Sequence, residues 1–364
     1  MTRPLNGTLS LRPRGLWLVT SLELRQRIRS VRWYVALGVW TLALIGIGVL
    51  ALAPTMYSSQ WSSIEPIAAV VFSLQIMLVM FAMLLVVPAL SAGSINGDRT
   101  AGTLATLQAS LLSPLEIVLG KLLAGWLTGL AFLVLALPSV VPMALLGGVG
   151  PLYMLRLVIV IAGLTLCVTA LGLGLSALTN RQLGSVVLAY VIVFGVTAVL
   201  PIAWGVSAIF LVQEREVTTY HMDYQYSAGE STGEPVCVRE QDTQDIVRLD
   251  LTQPLMWGNP VVLLAEASPR VNPDEAWRSD EDVDALQLIK TGMRTSATPT
   301  HPANHNHCDP SAEGYPTDLG EPPNRPLWPM GAALWLLVAA AALAVSTWRL
   351  AIPITRLGMG TRIA

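Results

Sequence analysis

Charge is scarce in this sequence. Asp, Glu, Lys and Arg make up 13% of its 364 residues, against about 25% in a typical soluble domain. That excludes a water-soluble enzyme of ordinary composition, and equally a charge-rich disordered protein. Lysine is almost missing, with 2 residues against 20 arginines, and cysteine is limited to 3. No G-x-x-x-x-G-K-[ST] segment occurs, so the chain does not itself hold a nucleotide in a P-loop. The long apolar runs carry no Asp, Glu, Arg or His at their centres, and span four has only the off-centre Arg156. Ion-coupled carriers usually place ionisable groups at mid-membrane, so a self-energised carrier is disfavoured. The Asp pairs, His/Glu zinc motifs or Ser with His that intramembrane proteolysis needs are missing from these runs too.

What the chain has in abundance is apolar sequence, 53% of all residues. A spanning helix takes about 20 mostly apolar residues in a row. Six runs qualify: 33–53, 67–92, 119–145, 153–178, 184–212 and 328–350. The third contains Pro138 and Pro142, which neighbouring helices can accommodate. A signal peptide is the competing reading of the first run, since Ala51-Leu52-Ala53 resembles a cleavage site. The 32 residues before the run, its length and Pro54 favour a retained span. The fold expected is an all-α polytopic membrane protein with six transmembrane helices. An amphipathic helix precedes them at 13–31, with Leu16, Trp17, Leu18, Val19 and Leu22 on its apolar side and Arg25, Arg27 and Arg29 on its basic side.

Lys and Arg set the expected orientation. Seven arginines in residues 1–32 place the N-terminus in the cytoplasm, and Arg349, Arg356 and Arg362 return the C-terminus there. The loop at 93–118, with Arg99, is then cytoplasmic. Arg156 lies just inside span four from its outer end, where it can snorkel to the headgroups or contact an anion. The chain divides into the N-terminus 1–32, spans one to five over 33–212, an extracytoplasmic insertion 213–326, and span six with its tail over 327–364. The insertion is acidic, with 8 basic against 20 acidic residues; the remainder holds 14 against 4.

Within the insertion, 251–267 is apolar around Trp257 and Leu264. Residues 274–294 read as an acidic helix with Trp277, Val283, Leu286 and Ile289 on one side. Residues 295–327 read as irregular. Cys237 and Cys308 are the two cysteines outside, and an oxidising exterior favours a disulfide between them. Such a bridge closes a loop of about 70 residues, worth on the order of 4 kcal/mol in the loop-entropy account. His301, His305 and His307 beside Cys308 raise a metal site. The interspersed Pro302, Asn304 and Asn306 disfavour the helix that would align them, so no metal site is expected.

The 93–118 loop has readable physics. Asn96, Gly97 and Asp98 read as a turn. Leu104, Leu107 and Leu111 recur at helical spacing and predict a short helix with one apolar edge. Ser113-Pro114-Leu115-Glu116 is a capping box opening span three, and Lys121 follows at the boundary. Such a helix, joined to two spans, could pass on a push from a cytoplasmic motor.

This stretch resembles the cytoplasmic coupling region of ABC type-2 exporter permeases, whose pattern is roughly E-R-x-x-G-T-L-E-x-L-L-x-[ST]-P-x-S-x-x-E-I-x-x-G-K. Asp98, Arg99, Gly102, Thr103, Leu104, Leu107, Ser110, Ser113, Glu116, Ile117, Gly120 and Lys121 fit it. Ala105 and Leu111 depart from it, where an acid and a Pro are frequent. The six-span layout and Trp257-Gly258-Asn259-Pro260-Val261 also resemble the family. The resemblance implies a plasma-membrane permease subunit of an exporter. It would pair with an identical or related permease and dock on two P-loop ATPase subunits, which bind the ATP and Mg; no cofactor belongs to this chain and no nucleic acid is involved. Asp98 to Leu107 with Ser113, Pro114, Glu116 and Lys121 would couple to the ATPase. Spans two and five would line the path, offering Gln75, Met77, Met80, Phe81, Met83, Tyr190, Phe194 and Thr197, a lining that suits an apolar or amphipathic substrate. The alternative is an ABC-associated protein that transmits force or senses a ligand through 213–326 without passing substrate.

Overall fold

The structure, a computed structural model, describes residues 10–57, 64–104, 107, 112–224, 226–227, 230–231, 235–269, 284–320 and 325–351. Among the described residues, six helical segments are long and apolar enough to cross a membrane: Val31–Pro54, Ile64–Thr100, Pro114–Leu146, Pro151–Leu178, Gln182–Phe210 and Trp328–Ala351. A separate helix, α1 (Pro13–Ile28), precedes them. The spans comprise α2 (Val31–Tyr57), α3 (Ile64–Ser91) continued by the short α4 (Ser94–Thr100), α5 (Pro114–Leu146) and α6 (Pro151–Leu178). The fifth is α7 (Gln182–Phe194), a π-turn at Gly195–Val199 and α8 (Leu200–Phe210).

The core lies between α3, α5 and α6, with Phe72, Ile76, Met80, Leu157 and Ile161 fully buried. Small residues let the backbones cross closely, as expected where packing rather than water drives association. A Cβ on Gly172 of α6 would fall on Ser91 of α3, and one on Gly129 of α5 would touch Thr165 of α6. In the most apolar 18-residue stretch of each span, 67% is buried within the chain for α6 but only 11% for α2 and for the fifth span. The latter two therefore leave most of their apolar surface for lipid or another chain.

Beyond α8 the chain turns to strand, which the sequence reading had not assigned. β1 (Val212–Asp223) pairs antiparallel with β4 (Val236–Val247), from Val212 opposite Val247 to Asp223 opposite Val236. A small ladder, β2 (Tyr226–Ser227) with β3 (Glu230–Ser231), lies nearer the turn. Exposed strand edges invite unwanted pairing; here Asn306 bridges β1 at Tyr220 and Glu313 bridges β4 at Val236. Cys237 of β4 is disulfide-bonded to Cys308, with Cα atoms 5.7 Å apart. In the same stretch the His301 ring accepts from the Ala303 amide, and the His305 ring sits 3.1 Å from the Pro299 carbonyl. No metal-competent cluster occurs among the described residues.

Two 3-10 turns (Leu249–Leu251, Gln253–Met256) lead back to α9 (Pro260–Glu266), whose Val262, Leu263, Leu264 and Ala265 are buried. Leu263 and Leu264 belong to the same core as the spans, so this apolar stretch wedges into the bundle. Asn259 caps α9 through bonds from the Val261 and Val262 amides. Its amide group also donates to the carbonyls of Val196 and Thr197 at 3.1 and 3.2 Å. These carbonyls belong to the π-turn just before Pro201, which has no amide hydrogen to donate back to them. The expected acidic helix is seen only as α10 (Ala285–Thr295), since Trp277, Val283 and the rest of 270–283 lie outside the described residues. The last helix among the described residues is α11 (Trp328–Ala351).

α10 docks on the bundle through Asp284, which caps it by a capping box and accepts the Tyr153 hydroxyl at 2.9 Å. Burial raises the Asp284 carboxyl above its ordinary range, more than its hydrogen bonds lower it. The folded chain therefore binds this proton more tightly than the unfolded chain, and the stability contributed falls as pH rises from the unfolded value of about 3.9 through the raised one. Asp284→Asn keeps the cap and removes the titration. Its melting midpoint in detergent should gain relative to wild type at pH 7 but not at pH 4, and equal differences at both would contradict the assignment.

Candidate functional site

At the end of the bundle shared by α1 and α4, polar groups gather that the spans otherwise exclude. The region begins with the α5 N-terminus. Ser113 accepts from the Glu116 amide, and the Glu116 carboxylate accepts from the Ser113 amide at 2.9 Å, with Pro114 in the first turn. The capping box read from the sequence is thus formed. It does more than start a helix, because the other Glu116 oxygen accepts from the Arg12 amide at 2.6 Å, at the N-cap of α1. One buried carboxylate therefore sits at two helix N-termini, where the backbone dipoles favour negative charge. Ser113 adds a bond to the Ser10 carbonyl.

One turn and a half further along α5, Lys121 is buried and bonded to Glu23 of α1 and, at 2.6 Å, to Asp98 of α4. Thr20 of α1 donates to the Gly120 carbonyl at 3.3 Å. α1 is thereby fixed across the base of α5, with Val19 and Thr20 inward and Trp17, Leu18 and Leu22 exposed on its other side. Burying charge is costly unless it is paired, and here one ammonium serves two carboxylates from two separate elements.

The segment expected as an Asn96-Gly97-Asp98 turn is instead helical, as α4. The reason is long-range. The Ser176 hydroxyl of α6 accepts from the Ile95 and Asn96 amides at 3.2 and 3.1 Å, so the N-terminus of α4 is capped from another span. The Asn96 amide donates to Thr179 at 3.0 Å and to Ser185 at 3.5 Å, while Ser185 donates to the Ala92 carbonyl. Arg99 donates to Asn96 at 2.9 Å and to the Thr179 carbonyl at the C-terminus of α6 at 3.3 Å. Asp98 and Arg99 are neighbours in sequence but hold different partners: Asp98 reaches α5, Arg99 the junction of α6 and α7.

α4 ends at Gly102, whose φ of +72° lies in the left-handed region. Glycine adopts this without the Cβ clash that penalises other residues, and its amide donates to the Arg99 carbonyl. The Thr103 hydroxyl turns back to Asp98 at 3.3 Å. Leu104 is buried against the core and Leu107 is helical; residues 105–106 and 108–111, which include Leu111 and Ser110, lie outside the described residues. Glu23, Ser176, Thr179 and Ser185 were missed by sequence reasoning, and Asn96 was read only as part of a turn. Only Glu23 gave a signal, as the sole acid in an otherwise basic stretch of 32 residues.

The residues expected along a path divide into three sets. Gln75, Met80 and Met83 are buried in the interior. Gln75 donates to the Leu44 carbonyl and to Ser139 at 3.1 and 3.0 Å, knotting α2, α3 and α5 together. Met77 and Thr197 are half-buried, and Tyr190 donates to the Leu85 carbonyl at 2.7 Å. Phe81 and Phe194 face outward, Phe81 within a row of exposed α3 side chains that includes Val70, Leu74, Leu78 and Leu85. The structure does not bring these eight residues together inside one chain.

Compared with known proteins, residues 17–263 match the sequence model of the family described as ABC-2 family transporter protein. No curated protein matches the chain.

Proposed function

The chain belongs to the ABC-2 family of transporter proteins, a family of multi-pass membrane subunits of ABC transporters, and from that premise we propose that it is the permease half of an ATP-driven exporter. ATP and Mg would be bound by two separate P-loop subunits docked beneath α4 and residues 102–107. The observation that carries this reading is the position of α4. A segment held at once to α1 and α5 through Lys121, and to α6 and α7 through Asn96 and Arg99, passes any displacement to four elements. The N- and C-termini and this site would lie in the cytoplasm, with the β1–β4 hairpin outside, in keeping with the arginine distribution.

The lightly buried α2 and fifth span support pairing with a second permease, identical or related. In that arrangement the path would run between chains. Phe81 and Phe194 would then face it, with an apolar or amphipathic substrate, while Gln75, Met80 and Met83 would hold the helices behind it.

The test is purification of the tagged chain from its native membrane, with identification of co-purifying proteins and their ATP hydrolysis. A stoichiometric P-loop ATPase is expected. Gly102→Trp should abolish its retention while leaving the chain folded, since forcing an L-residue into the left-handed region costs only about 1–2 kcal/mol. A clean preparation without any ATPase in gentle detergent would overturn the proposal and move the function to residues 213–326.

A further inference from the structure

α6 and α11 both start at the hairpin end of the bundle and run side by side. They meet closely at Gly174, where a Cβ would lie 2.7 Å from that of Ala342. Towards the hairpin end they part, and α9 inserts Leu263 and Ala267 between them. The space that remains is a lateral groove of about 570 Å³, open to the bilayer side and lined by Ile159 and Gly163 of α6 and by Trp328 and Trp335 of α11. A Cβ on Gly163 would meet nothing within 4 Å, so the missing side chain is itself part of the opening. Trp335 is held in place by its bond to the Gly258 carbonyl at 2.9 Å. The volume falls in the range of ligand sites, roughly 300–1,000 Å³.

One end of this apolar groove is charged. Arg156 lines it and forms no ion pair among the described residues. Glu266 lines it too, but its carboxylate is held by Arg294 at 2.9 and 2.6 Å. The free charge of the rim is therefore positive. Arg156 is the sixth residue of α6, about 8 Å along the axis from the helix start, the depth at which headgroups meet acyl chains. The exposed Trp328, at the start of α11, is placed as interfacial tryptophans are. A cation at headgroup depth, continuous with an apolar slot open sideways to the bilayer, is complementary to one kind of molecule, an anionic head on an apolar tail.

We propose that this groove binds a membrane phospholipid, its phosphodiester on Arg156 and one acyl chain along Ile159, Gly163 and Trp335. The inference needs the membrane spans only and is independent of the ATPase. The test is native mass spectrometry of the purified full-length chain titrated with phosphatidylglycerol, diacylglycerol or inorganic phosphate. One phosphatidylglycerol should be retained per chain. Arg156→Gln should weaken retention about tenfold, the effect of one lost charge-assisted hydrogen bond, with Arg156→Lys recovering part of it. Gly163→Leu, which fills open space and leaves the packing intact, should weaken both phosphatidylglycerol and diacylglycerol. Arg156→Gln should leave diacylglycerol unchanged. Unaltered phosphatidylglycerol retention in both variants would overturn the proposal. So would displacement of the lipid by millimolar inorganic phosphate, which would reduce the site to an anion contact without a tail.

Discussion

Lys121→Met is expected to destabilise the protein by about 3–5 kcal/mol, the cost of removing one partner from a buried ion pair. The side chain of Lys121 is 2% exposed, and those of Glu23 and Asp98 are 13% and 24% exposed. The variant leaves two carboxylates, from α1 and α4, facing a methionine. Because the cost is the stranded charge rather than lost packing, a triple variant that also carries Glu23→Gln and Asp98→Asn should recover most of it. Melting midpoints in detergent measure both. Coupling should not recover with stability, since the neutral triple variant no longer ties α4 to α1 and α5. The ATPase activity of the proposed partner, read beside the melting midpoints, should therefore stay uncoupled in both variants. A loss below about 1 kcal/mol for Lys121→Met would class the triad with exposed ion pairs and remove it from the coupling argument.

Gly120→Ala should be nearly as severe, although it adds a single methyl group. The new Cβ would lie 2.6 Å from the Cβ of Val19 and 2.7 Å from its Cγ1. No rotamer change moves a Cβ, so α1 must lift off α5. Overpacking of this kind costs about 1–3 kcal/mol, and here it acts on the seam that Glu116, Thr20 and Lys121 close. Lifting α1 exposes Arg27, half-buried and bonded to the Leu90 carbonyl, to trypsin, so faster cleavage after Arg27 is the readout. Adding Val19→Gly removes both clashing atoms and should restore resistance, less about 1 kcal/mol for glycine in a helix. Cleavage unchanged in Gly120→Ala would show that α1 does not rest on α5.

These two seams show what the sequence could disclose. The spans were legible because uninterrupted apolar runs of that length have few other uses, and the Ser113 box because its signal fits within four residues. α4 was not legible. Asn96-Gly97 carries a turn signature, which is overridden by a hydroxyl 80 positions away in α6. The π-turn at Gly195–Val199 left one local trace, Pro201, which has no amide hydrogen to donate to the preceding carbonyls; that Asn259 from beyond the hairpin satisfies them was not legible. The β1–β4 hairpin lacked the alternation of a half-buried strand because both its faces are mostly wet, with Val217, Cys237 and Ile246 buried. Gln75 was expected along the path, but a polar residue in an apolar helix marks a buried knot between helices as readily as a path.

The near-absence of lysine has a practical side. Both lysines are interior, Lys121 at 3% and Lys290 at 7% exposure. Lys290 donates to the carbonyls of Glu266 and Ser268, as firmly engaged as Lys121. The positive surface is therefore made of guanidinium groups, and the native fold offers neither ε-amine to an acylating reagent. Amine chemistry that serves other proteins as a surface label becomes here a reporter of opening. Acylation at Lys121 would register α1 leaving the base of the bundle, and acylation at Lys290 would register α10 leaving α9, two local events distinguished by one peptide digest.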